Sequence, residues 1–193
     1  MLAHLSKLLI AGLAILLACT THAEEWGLDQ LMSALAQTRS GHASFVEKKT
    51  LAILQAPIES SGELFYSAPY RLDKRTLKPK AEYLLLDHGT LTIEQGRKKH
   101  VLQLQNYPEL AVFIDSIRGT LAGDRTALER SYKLRLEGDE QAWTLELLPT
   151  DNKIKKVVEK ILIAGEGSEL RSIAISQANG DNSVMTITQL PAP

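Results

Sequence analysis

Cysteine is almost absent: the chain has one, Cys19, and it lies in the N-terminal stretch. No disulfide can form within one chain, so the fold must stand on apolar burial rather than on covalent staples. An excess of one charge is lacking too. The 22 Lys and Arg residues are matched by 23 Asp and Glu, which gives no basic face for nucleic acid. Histidine is sparse beyond residue 23, with only His42, His88 and His100, and there is no H-E-x-x-H or other pair at metal-binding spacing. Each reads as a solvated or structural side chain.

The signatures of catalysis are missing as well. Ser168, in Gly165-Glu166-Gly167-Ser168-Glu169, does not complete the G-x-S-x-G arrangement of a nucleophile elbow, and the glycines fit a hairpin instead. There is no P-loop and no dinucleotide fingerprint. Asp115, Asp124, Glu137 and Glu146 read as solvated carboxylates. The expectation is a protein that is not an enzyme and carries no metal or cofactor. One basic cluster stands out, Arg71, Lys74, Arg75, Lys78 and Lys80. It reads as an exposed strand face whose lysines discourage edge pairing, with a docking surface for an acidic partner or lipid headgroups as the alternative.

Long apolar runs are also lacking, with one exception. Leu8–Leu17 is an unbroken stretch of 10 residues behind Lys7, too short for a membrane span of about 20. Thr21-His22-Ala23 supplies a small-x-small cleavage pattern, so residues 1–23 read as a secretory signal and residues 24–193 as one exported domain, periplasmic in a Gram-negative cell. A second reading stays open. Leu16-Leu17-Ala18-Cys19 resembles a lipobox, in which Cys19 would be lipidated and the protein anchored to the outer membrane.

What the chain does have is pattern. From Trp26 to Thr38, Leu28, Leu31, Met32, Leu35 and Ala36 form one apolar stripe of a helix, with Gly41 as its stop. The period then shortens, and strands are expected from His42 to Leu54, then over 63–67, 70–78, 82–87, 90–94 and 99–104. Turn residues separate them, among them Ser60-Ser61-Gly62 and Ala68-Pro69. Pro108 suits the first turn of a second helix carrying Leu110, Phe113, Ile114, Ile117 and Leu121. Asp124–Arg130 suits a short third. Strands resume over 131–137, 142–148, 157–164, 169–177 and 183–188. The fold class is therefore α+β: about 10 or 11 antiparallel strands and about three helices. Such a sheet curls, and its inner leucines, Leu64, Leu84, Leu86, Leu102, Leu134, Leu136, Leu145 and Leu147, face either a packed core or a ligand cavity.

Several segments carry a family likeness. His42-Ala43-Ser44-Phe45-Val46-Glu47-Lys48-Lys49-Thr50 after an amphipathic helix, Ser61-Gly62-Glu63-Leu64-Phe65-Tyr66, the Pro69 turn, and Leu85-Leu86-Asp87-His88-Gly89-Thr90-Leu91 occur in that order. Together they resemble the outer-membrane lipoprotein carrier family LolA, whose relative LolB is an anchored acceptor of the same fold. The resemblance implies a half-open antiparallel barrel with helices as a lid over an apolar cavity. It also implies a monomer that takes the acyl chain of a lipoprotein or another lipid between an inner-membrane exporter and an outer-membrane acceptor. The same fold serves envelope sensing, so a non-catalytic binding module is a further reading. The cavity wall it implies is Phe45, Leu64, Tyr66, Leu72, Leu84, Leu86 and Leu102, with Leu31, Leu35, Phe113 and Ile117 from the lid. The family's arginine before the turn proline, which ties the lid shut, is replaced here by Ala68.

Overall fold

A computed structural model describes residues 26–191. The export signal and Cys19 lie outside the described residues. Helix α1 (Leu28–Ala36) comes first, followed by strands β1 (Ser40–Thr50), β2 (Ile58–Ser67), β3 (Arg71–Lys78), β4 (Glu82–Asp87), β5 (Thr90–Gln95) and β6 (Lys98–Gln103). Helices α2 (Pro108–Leu121) and α3 (Arg125–Glu129) interrupt the strands. The remaining strands are β7 (Tyr132–Asp139), β8 (Ala142–Pro149), β9 (Val158–Glu166), β10 (Glu169–Gln177) and β11 (Asn182–Gln189).

All 11 strands join one sheet in the order β6-β5-β4-β3-β2-β1-β11-β10-β9-β8-β7, and every pairing is antiparallel. Strands consecutive in the chain are neighbours in the sheet except β6 and β7, and the one non-sequential pairing, β1–β11, joins the two halves. The outer strands β6 and β7 do not pair, so the barrel stays open. The chain between these two edges carries α2 and α3.

Helix α2 begins where Pro108 occupies its first turn, where a missing N–H costs nothing. Asp124 caps α3, its carboxylate accepting from the Ala127 N–H at 2.9 Å. Two expectations fail locally. Gly41 does not stop the first helix. The helix ends at Ala36, with the Gln37 and Thr38 N–H groups turned back onto Ala34 and Leu35, and Gly41 lies within β1 opposite Tyr66. Ser60-Ser61-Gly62 is not a turn either, because β2 runs straight through it. The register between β2 and β3 slips there, and a Cβ on Gly62 would lie 1.9 Å from the Arg75 carbonyl oxygen. The glycine permits a close strand approach at a bulge.

The sheet's concave face holds two apolar clusters. In the larger, Leu31, Met32 and Leu35 of α1 pack on Trp143, Leu145, Leu147, Ile161 and Ile163 of β8 and β9. The smaller joins Leu86, Leu91, Leu104 and Ile114, with Leu72, Leu84 and Leu102 against it. Helix α2 contributes to both: Phe113 packs on each, while Ile117 and Leu121 reach the larger one. Its apolar stripe is wide enough to bridge them.

Candidate functional site

Between the two clusters the concave face is not filled. A cavity of about 930 Å³ lies there, at the upper end of the range for small-molecule sites. The strand register explains its wall. Side chains alternate across a sheet, so Leu64 and Tyr66 of β2 share a face with their partners Ala43 of β1 and Leu72 of β3. Leu84 and Leu86 of β4 continue that face, as do Ile173, Met185 and Ile187 on the other side. Leu110, Phe113, Ile114, Ile117 and Leu121 of α2 complete the lining.

Of the residues expected at the wall, Leu64, Tyr66, Leu72, Leu84, Leu86, Phe113 and Ile117 are brought together around this cavity. Four are placed elsewhere. Leu31 and Leu35 are sealed in the larger cluster, together with Trp143, Leu145, Ile161 and Ile163. Leu102 packs into the smaller cluster on edge strand β6. Phe45 lies on the inward face of β1 between Ala43 and Glu47 but is fully buried, with the Lys74 ammonium 4.8 Å from its ring centroid.

The lining is not wholly apolar. Glu47 follows Phe45 on the inward face of β1 and is buried. Its carboxylate receives the Lys74 ammonium at 2.5 Å and the Ser183 hydroxyl at 2.8 Å, with the Lys49 ammonium 3.4 Å away. Burial pushes the Glu47 pKa up. The hydrogen bond and charge of Lys74, the Ser183 hydroxyl and the Lys49 charge outweigh it and hold the carboxyl below its usual value. Sequence reasoning missed this pair, although the signal was present: Glu47 has the strand parity of Phe45, and Lys74 that of Leu72.

The basic cluster around Lys74 is thereby split between two faces. Arg71 and Arg75 lie on the convex side and flank the buried Asp73, at 3.5 and 3.9 Å. Asp73 also accepts from the Tyr83 hydroxyl at 2.8 Å; burial and this carboxylate push the Tyr83 pKa up. Arg75 stacks over Phe65, and Phe65 in turn stacks on His42, with ring centroids 4.4 Å apart. On this face His42, Phe65, Arg75, Tyr83 and Asp73 therefore form one continuous polar–aromatic cluster.

Among the described residues no group of three or more His, Cys, Asp or Glu side chains converges as a metal site. A cavity walled by aliphatic residues under a helix that joins the two edges of an open sheet can hold an apolar ligand without chemistry of its own. A family model described as outer membrane lipoprotein carrier protein LolA-like matches residues 20–189. The chain belongs to this family.

No curated protein matches the LolA-like chain at a significant level. Among solved structures it is similar to a LolA superfamily protein from Nitrosomonas europaea, at 14% identity over 84% of this chain and 93% of that one, with a TM-score of 0.46. It is also similar to the MucA/MucB complex structure from Pseudomonas aeruginosa, at 17% identity over 86% of this chain and 56% of that one, TM-score 0.48. LprF from Mycobacterium bovis is similar at 12% identity over 86% and 93%, TM-score 0.37.

The LolA-like lid is fastened here without an arginine before Pro69. Arg118 of α2 donates to the His88 carbonyl at 3.1 Å, in the turn between β4 and β5, and is braced by Asp115 at 2.6 Å. Its guanidinium also lies 5.9 Å from the Tyr70 ring, which itself packs on His88.

Proposed function

We propose that this LolA-like protein is an exported, non-catalytic carrier that shelters an acyl chain in the concave cavity and ferries it across the periplasm toward the outer membrane. One observation carries the reading: an aliphatic cavity of about 930 Å³ lies under a helix that bridges the two clusters of an open sheet. Each methylene moved from water into such a wall contributes about 0.8 kcal/mol, so a single chain is retained by apolar contact alone. Membership of the lipoprotein carrier family supports the same reading. The cargo is the acyl chain of a lipoprotein or of another lipid, handed from an inner-membrane exporter to an outer-membrane acceptor by a monomer.

Native mass spectrometry of the protein purified from the periplasm of its own host, followed by lipid extraction, tests this directly. A bound acyl species that is also displaced by a fluorescent fatty acid supports the carrier. An empty protein that takes up no fatty acid overturns it and turns attention to protein ligands. The mass of the mature N-terminus separates a soluble carrier cut after Ala23 from an anchored acceptor lipidated on Cys19.

A further inference from the structure

We propose that Lys74, held by Glu47, is a headgroup subsite, so that the cavity takes its acyl chain with an anionic oxyanion head, a carboxylate or a phosphate. The inference rests on the carrier reading of the cavity. Glu47, Lys49, Lys74 and Ser183 all line the cavity. Lys49 and Val157 are exposed and line it at the same end, which places the pair just inside a mouth open to solvent.

The proton count selects the ligand. Glu47 already accepts from Lys74 and Ser183 and faces Lys49, so most of its lone-pair capacity is used. Lys74 carries three N–H donors, and among the described residues only Glu47 takes one of them in a hydrogen bond. The Lys74 side chain keeps 21% of its surface exposed, against 6% for Glu47. The available groups are therefore donors on an ammonium. At this end one carboxylate, Glu47, faces two ammoniums, Lys49 and Lys74, which disfavours a cationic head there. The other carboxylates of the lining are Asp73, paired with Arg71 and Arg75, Glu169, paired with Arg171, and Glu109. Fold stability does not require the pair, since an apolar pair of similar volume is often as stabilising at a buried site. Leu64 and Leu84, the cross-strand partners of Lys74, begin the aliphatic wall beside it. A chain anchored at Lys74 then runs along that wall beneath Phe113.

The test uses the mature protein and three probes with the same saturated chain: palmitate, palmitoyl lysophosphatidate and neutral palmityl alcohol, each competing with a fluorescent fatty acid. The wild type is expected to bind at least one anionic probe about tenfold more tightly than the alcohol at low salt, since charge-assisted hydrogen bonds are the strong ones. Which anion binds more tightly separates a carboxylate from a phosphate cargo. The double variant Glu47→Gln/Lys74→Met, which leaves no unpaired buried charge and only the exposed Lys49 at the mouth, is expected to lose most of the preference and to bind the anionic probes near the wild type's affinity for the alcohol. Equal binding of acid and alcohol by the wild type, or a preference for the acid that is undiminished in the double variant, overturns the subsite while leaving the cavity reading intact. Failure of every probe to bind overturns both.

Discussion

The Lys74 ammonium of β3 meets the Glu47 carboxylate of β1 across an intervening strand, at 2.5 Å, on a face otherwise built largely from Leu, Ile and Met. On β2 their partners are Leu64 and Ser60, and Gly62 is the residue midway between. The bulge at Gly62 leaves no room there for a side chain. Two long side chains from non-adjacent strands can therefore meet over the middle one. The arrangement links a local backbone feature to the electrostatics of the cavity mouth.

The first prediction concerns acid. The pKa of Glu47 is lowered by folding, so its contribution to stability is fully present above its usual value of 4.5 and is lost as pH falls below it. Urea unfolding midpoints of the wild type are expected to drop more steeply between pH 5 and pH 3 than those of Glu47→Gln/Lys74→Met. Parallel curves would show that the carboxylate is not held by its neighbours.

Tyr66 gives a prediction of opposite sign. Its ring lines the cavity, yet its hydroxyl is buried with no hydrogen-bond partner among the described residues, and burial raises its pKa against the opposing charge of Arg39. A buried orphan hydroxyl costs free energy. Tyr66→Phe is expected to leave stability unchanged or raise it by about 1 kcal/mol, measured by urea denaturation, with fatty-acid uptake retained. A clear loss of stability would mean that the hydroxyl has a partner in solution.

Phe113 touches both apolar clusters from the lid and lines the cavity between them. Phe113→Asp places a carboxylate against the aliphatic wall. Fluorescent fatty-acid affinity is expected to fall by about tenfold or more, an energy near that of burying two methylenes. Circular dichroism should remain that of the wild type. Full uptake by a folded variant would move the ligand elsewhere.

Arg118 is predicted to act on rate rather than on affinity for the wall. It ties α2 to the β4–β5 turn through the His88 carbonyl, a half-exposed contact of modest strength. Arg118→Ala is expected to cost stability about 0.5–1 kcal/mol and to speed release of a bound fluorescent fatty acid several-fold in stopped-flow exchange. An unchanged release rate would show that the lid is held by apolar packing alone.

The linear sequence was enough to assign the strands, the proline-started helix α2, and the shared face of Leu64, Leu72, Leu84 and Leu86, because alternation along a strand and the 3.6-residue stripe of a helix are local properties. The family was legible as a resemblance, carried by the segments His42–Thr50, Ser61–Tyr66 and Leu85–Leu91 in that order. What the helices cover was decided only in three dimensions. Leu31 and Phe113 carry the same kind of stripe in the sequence. Yet α1 seals Leu31 in a packed cluster, while α2 touches both clusters and presents Phe113 to a cavity. The Gly62 bulge and the Glu47–Lys74 pair belong to the same class. Each depends on the register between strands that are distant in the chain, and period alone specifies which face a residue takes but not which side chain it meets there.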